Sequence, residues 1–233
     1  MKHHLQFGTR KVEFTLEYHS RKSLGIKVHP DATIQVLAPV NSNEHDVLKK
    51  LKTKAPWILK QVDYFNSFRP TTPARRYLNG ETHLYLGRQY RLKIIKDTEN
   101  TIKAYRGQLW IHSTDISVEV LEKQLQKWYK QRAEIIFEEL LEEVLPKFQK
   151  YKISRPVLTI RWMKKRWGSC TPGGKIILNP EIIKASKGCI EYVIIHELCH
   201  LVHHSHTKPF FELQNRILPE SVKWKNRLEN MLA

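Results

Sequence analysis

The sequence predicts an α+β protein, with a β-rich N-terminal lobe followed by a mainly helical lobe that carries a small sheet. Three observations lead there. Near the N-terminus apolar and polar residues alternate over short stretches, the signature of half-buried strands. From about 118 to 148 the apolar period changes to that of a helix. Beyond 180, helical periods recur, separated by polar turns. With 233 residues the chain is long enough to bury a sizeable core, and two lobes are expected, 1–115 and 116–233.

Each element has its own signal. Val12, Phe14, Leu16 and Tyr18 alternate with Glu13, Thr15 and Glu17, and Gly25 to Val28 and Thr33 to Leu37 continue the pattern. His29, Pro30 and Asp31 supply a turn. Asn41, Ser42 and Asn43 cap a helical region over 43–65, read as a pair of helices with Pro56 as the first residue of the second. Arg69, Pro70, Thr71, Thr72 and Pro73 read as a hinge. Strand signals return over 77–110, with Gly80, Gly87 and Gly107 at turns. The long helix over 118–148 would bury Leu121, Leu125, Trp128, Ile135, Ile136, Leu140 and Val144. Strands are expected over 157–163 and 175–178, then three helices.

Several classes are excluded. The first ten residues hold no apolar run of signal-peptide length, and no stretch approaches eighteen uncharged apolar residues, so neither a leader nor a membrane span is expected. Three widely spaced cysteines make no disulfide framework and fit a reducing, cytoplasmic setting. Cys199 reads as a small packing residue and Cys170 as structural.

The richest segment is His196, Glu197, Leu198, Cys199, His200, with His206 six residues further on. Residues four apart share a helical face, so His196 and His200 can offer two imidazoles to one metal ion. Glu197 lies about 100° round the helix, beside the ion, where it can take a proton from water. Ile190, Val193, Ile194, Leu198, Leu201 and Val202 make this a buried helix, on which paired polar groups are costly unless something satisfies them. His203 shares the face, but seven residues of helix rise about 10 Å, too far for three nitrogens to reach one zinc. The chain must turn first. Ser205 and Thr207 with Pro209 suit a break and a new helix over 207–218, which makes His206 the better candidate for the third ligand. His203 and His204 are then left as second-layer, substrate-facing or solvated residues.

These residues resemble a known family. Trp167, Gly168, Ser169, Cys170, then Leu178 and Asn179, then Tyr192 through the HELCHL segment, and His206, Thr207, Lys208, Pro209, Phe210, Phe211 are similar to the YgjP-like metallopeptidase family. The likeness extends more loosely through Asn79, Gly80, Glu81 and Leu86 to Tyr90. The family is a zincin-type one, related to SprT-like and WLM zinc metalloproteases. The resemblance implies the ligands His196, His200 and His206 and the general base Glu197. In metzincins a glycine midway between the second and third histidines opens the turn. Here that position is His203, so a metzincin turn is not implied, nor does Met231 make a downstream methionine turn.

Charge is the second clue. Forty Lys and Arg against 23 acids give +17, which favours an anionic partner. Between 150 and 189 ten basic residues face one acid, Glu181, and the run leads into the metal helix. Arg161, Lys164, Lys165 and Arg166 are candidates for substrate or anion binding, with His203 and His204. Trp162 and Trp167, interleaved with them, are read as core residues.

The expected function is a zinc-dependent metallohydrolase, most readily a peptidase acting on peptide or protein substrates. One ion is expected; three histidines favour zinc and leave nickel, cobalt and manganese admissible. An edge strand beside the cleft would pair with an extended substrate, with 175–179 as the candidate. His203, His204, Tyr192 or a basic residue of 161–166 would stabilise the oxyanion. One alternative is a nucleoside triphosphate pyrophosphatase or phosphohydrolase whose basic run binds phosphates, although no P-loop or magnesium-type carboxylate cluster is present. Another is a SprT-like protease docked on DNA, or a basic nucleic-acid-binding module. A purely structural zinc would need a fourth ligand that the segment does not offer. Oligomeric state is not legible.

Overall fold

The computed structural model describes residues 2–8, 10–29, 32–66, 75–164 and 166–232. The chain is α+β, and its contacts group it into two compact units, Met1–Pro73 and Ala74–Leu232. The boundary lies earlier than the 115/116 expected from sequence. The strands over 82–113 bury Tyr85, Leu92, Leu109 and Ile111 in one core with Leu121, Leu125 and Tyr129 of the following helix, so they belong to the second unit.

In the first unit, β1 (Lys2–Phe7), β2 (Arg10–His19), β3 (Gly25–Val28) and β4 (Ile34–Pro39) form a sheet in the order β1-β2-β4-β3. Only the β2–β4 pair is parallel. Period-two patterning places Val12, Phe14 and Leu16 of β2 and Ile34, Val36 and Ala38 of β4 inward. Helix α1 (Glu44–Asn66) covers that face with Val47, Leu51 and Ile58. It is one helix, not the expected pair. Pro56 sits in its interior, exposed, so water can reach the Lys52 carbonyl that a proline nitrogen cannot serve. The expected hinge at 69–73, and Pro30 and Asp31 of the expected turn, lie outside the described residues.

The second unit opens with β5 (Thr82–Tyr85), β6 (Arg88–Lys96), β7 (Thr101–Tyr105) and β8 (Gln108–Ser113), ordered β5-β6-β8-β7 with β6 and β8 parallel. Helix α2 (Val118–Val144) follows, and Pro146 falls in a 3-10 segment, Leu145–Tyr151, that ends it. Its inward face holds Leu121, Leu125, Ile136, Leu140 and Val144 as expected, together with Tyr129, Ala133, Phe137 and Leu141. Ile135 instead faces solvent at 48% exposure, because the face drifts towards 133, 137 and 141.

A three-stranded sheet comes next, built from β9 (Val157–Ile160), β10 (Gly168–Cys170) and β11 (Lys175–Leu178). The order is β10-β11-β9, with β11 central, antiparallel to β10 and parallel to β9. The expectation that 175–179 forms the free edge is therefore wrong; its apolar run is that of a strand paired on both sides. A 3-10 turn at Pro180–Lys184 leads into α3 (Lys187–Val202), α4 (Lys208–Ile217) and α5 (Ser221–Leu232). The β5–β6 turn is tied to that 3-10 turn by Leu86 N–H to Ile183 O, 2.9 Å, and Gly87 N–H to Lys184 O, 3.0 Å. Ile176, Leu178, Ile182, Ile183, Ile190 and Ile194 are fully buried around α3. Among the described residues no helix is long and apolar enough to cross a membrane.

Candidate metal centre

Helix α3 is apolar on nearly every side, with nine of its 16 residues buried. His196 and His200 lie one turn apart on it, ring centroids 5.0 Å from each other. The helix stops at His203, which takes an extended conformation (φ −131°, ψ 104°) and donates its N–H to Cys199 O at 2.8 Å. That break removes His203 from the ligand face, as the rise per residue demands. Thr207, extended, immediately precedes α4 and Pro209 opens its first turn, and between the helices the chain swings His206 back over α3. Its Nε2 lies 2.9 Å from Nε2 of His196, and its ring centroid 4.7 Å from that of His200. One ligating nitrogen from each of the three histidines falls within 4.8 Å of the others.

Two of the remaining ring nitrogens are spoken for. His196 Nδ1 is 2.8 Å from Oε1 of Gln214, a buried residue of α4. An amide oxygen only accepts, so His196 carries its proton on Nδ1 and aims an Nε2 lone pair at His206. His200 Nδ1 lies 3.3 Å from the carbonyl oxygen of His203, which fixes the second ring in the same sense. Phe210, fully buried, forms the floor, with its centroid 5.0, 4.6 and 4.8 Å from those of His196, His200 and His206. Burial holds His196 well below the ordinary histidine range, at about 4, and lowers His200 as well. Neutral imidazoles with converging lone pairs are the form that binds a divalent transition metal, and three of them leave a coordination position open. The residues present fit such an ion.

Glu197 is 5% exposed. Burial pushes its carboxyl up to about 7, against the pull of the Arg166 charge and the Cys170 backbone N–H. Its position depends on Gly168 in β10, where a Cβ would come within 2.5 Å of Glu197 Oε1 and 2.8 Å of its Cγ. No side chain fits there without displacing the carboxylate. The loop leading to β10 is pinned by Asn179. Its side-chain amide donates to the carbonyls of Met163 (2.7 Å) and Arg166 (3.0 Å), and its backbone N–H donates to Trp167 O at 2.8 Å.

These groups open on a cleft of about 520 Å³ lined by Arg166, residues 168–172, His196, Glu197, His200, His204 and His206. Of the six candidate substrate contacts, Arg166 and His204 line it. Arg161 and Lys164 are exposed and not part of the lining, and Lys165 lies outside the described residues. His203 contributes through its main chain. Tyr192 is buried, with its ring 6.0 Å from that of His196, and does not reach the cleft. Trp167 packs against the core, but Trp162 is 40% exposed, contrary to the core reading. Cys199 is fully buried, as a packing residue should be, whereas Cys170 lines the cleft.

Gln214, Phe210 and Asn179 were not singled out by sequence reasoning for these roles. Gln214 did leave a signal, since it occupies an apolar position in the α4 series Phe210, Leu213, Gln214, Ile217, and a polar residue there needs a buried partner.

The profile of the YgjP-like metallopeptidase domain matches residues 22–231. No curated protein matches the chain. Among solved structures, the crystal structure of the metallopeptidase zymogen of Pyrococcus abyssi, abylysin, is 24% identical, with 40% of this chain and 90% of that chain covered and a TM-score of 0.36.

Proposed function

The chain belongs to the YgjP-like metallopeptidase family, which makes it a metal-dependent peptidase, and we propose that it is a zinc enzyme using Glu197 as general base. The observation that carries this reading is the convergence of His196, His200 and His206 beside a buried carboxylate in an open cleft. The three imidazoles would hold one zinc ion; cobalt, nickel and manganese suit the same nitrogens. When bound, the ion supplies Lewis acidity, bringing the pKa of water towards about 7 and polarising a carbonyl.

The chain's own residues do the rest. Glu197 receives the proton of the attacking water and returns it to the leaving amine, a role suited to a carboxylate whose affinity for protons burial has raised. A neighbouring dication pulls that affinity down again, so the value near 7 belongs to the metal-free site. Gln214 and the His203 carbonyl keep two ligand rings in their binding tautomer. Arg166 and His204 line the cleft and would be the donors that stabilise charge developing on the scissile carbonyl oxygen. An extended substrate would run along β10, the edge strand whose residues 168–170 line the cleft, and main-chain pairing there gives recognition with little sequence preference. Three free thiols suit a reducing compartment, the cytoplasm.

One observation favours a second reading. Arg166 sets a guanidinium in the cleft, and the same site would accept a nucleoside triphosphate for hydrolysis at a phosphoanhydride. The deciding experiment incubates metal-loaded protein with casein peptides and, separately, with nucleoside triphosphates, using Glu197→Gln protein as the blank. Peptide cleavage lost in the variant supports the peptidase. Release of phosphate or pyrophosphate, lost in the variant and without peptide cleavage, replaces it with the second reading.

A further inference from the structure

Helix α1 stands in the first unit, which holds none of the residues of the metal centre. Its buried face is complete, with Val47, Leu51, Ala55 and Ile58 each at 2% exposure or less. Its other face carries Lys49, Lys50, Lys52, Lys54 and Lys60, all exposed, and no acid lies between Asp46 and Asp63. Two of the three acids at its ends are engaged elsewhere: Glu44 with His3 at 3.0 Å and Asp63 with Arg10 at 2.8 Å. Among the described residues none of the five lysines has an ion-pair partner.

In the middle of this face stands Trp57, 45% exposed. Lys50, Lys54 and Trp57 follow at steps of four and three, so they form one row along the helix, and Lys49 and Lys60 lie on the neighbouring row. Lys49 to Lys60 spans about 16 Å of axis, enough to follow several phosphates of one strand.

We propose that the exposed face of α1 is a docking surface for single-stranded nucleic acid, with the lysines tracking the phosphate backbone and Trp57 stacking on a base. A cationic row flanking an exposed aromatic ring is what such a strand requires. An anionic membrane fits less well, because the apolar face that would enter the lipid is already covered by the sheet of its own unit. An acidic protein would pair with the lysines and give the indole no planar partner. The surface is independent of the metal centre, and its test does not depend on the reaction carried out there.

The test uses the full chain with a fluorescent oligo-dT of about twenty nucleotides, followed by anisotropy at several salt concentrations. Lys49→Glu, Lys50→Glu and Lys60→Glu together should weaken binding at least tenfold and flatten the dependence of log K on log salt by about 2, the share of three phosphate contacts on a single strand. Trp57→Ala should weaken it about fivefold or more at unchanged slope. The control changes Lys103, Lys123 and Lys127 to Glu, three exposed lysines of the second unit, with thermal melts confirming that every variant folds. Equal loss in the two triple variants would assign binding to overall charge and overturn the surface. So would the absence of binding by the wild-type chain. Tighter, Trp57-dependent binding to phosphatidylserine vesicles or to polyglutamate would reassign the face to a membrane or an acidic protein.

Discussion

Helices α1 and α3 both carry clusters of polar side chains, and they hold them in opposite ways. On α3 the polar groups sit within a buried helix, and each is held by a specific neighbour: Gln214 on His196, the His203 carbonyl on His200, Gly168 against Glu197. On α1 the five lysines stand in water, without an ion-pair partner among the described residues, and differ little from one another. The contrast separates two kinds of site. A reaction site is over-determined, so removing one group disables it, whereas a charged surface is additive and salt-screened, so removing one group costs little.

The largest effect should come from the base. Glu197→Gln keeps the size and loses the proton acceptor, so turnover should fall by about 10²- to 10⁴-fold while metal content, measured on the purified protein, stays the same. Retained turnover would remove Glu197 from the reaction. His206→Ala, in contrast, should strip the ion, and unchanged metal content would return the third-ligand role to His203 or His204. Next in size is Gln214→Leu, which frees the His196 ring and should weaken metal binding about 10- to 100-fold. A competition titration against a chelator reads this directly.

Glu197 also makes a prediction about stability. In the metal-free protein its folded pKa lies near 7, above the ordinary 4.5. A raised carboxyl means that the folded state binds the proton more tightly, so its contribution is present below pH 4.5 and is lost as pH rises through 7. The loss is on the order of 3 kcal/mol. His196 acts in the opposite sense, since its lowered pKa removes stability as pH falls from 6.5 towards 4. Subtracting the melting curve of metal-free Glu197→Gln from that of wild type isolates the Glu197 part. A flat difference between pH 4.5 and 7 would contradict the burial argument.

What could be read in the sequence follows from the range of each signal. The metal helix, the need for a turn after it and the start of α4 are local: a four-residue period, a limit on helical rise, and a polar run before proline. Each appears where it was expected. The bounds of β11 are local too, but its place in its sheet is not. An apolar run such as 175–178 announces burial without saying which strands flank it, and only the pairing with β9 and β10 moves the free edge to 168–170. Likewise Pro56 is a local signal for the start of a new helix, which the continuous packing of Val47, Leu51 and Ile58 overrides. The contribution of Gln214 spans 18 residues of sequence and becomes visible only when α4 folds back on α3.

The smallest expected effect sharpens the contrast from the other side. A single change on α1, Lys54→Ala, removes one exposed charge and no packing. It should shift oligonucleotide affinity only a few-fold at moderate salt, reduce the salt slope by about 0.7, and leave the melting temperature and the turnover of the metal site unchanged. Lys60→Ala should behave the same way, and the two effects should add, because charges one turn or more apart in water couple weakly. A loss of orders of magnitude from either single change would mean that α1 holds its charges as tightly as α3 holds its histidines. The first unit would then contain a built site, not an additive surface.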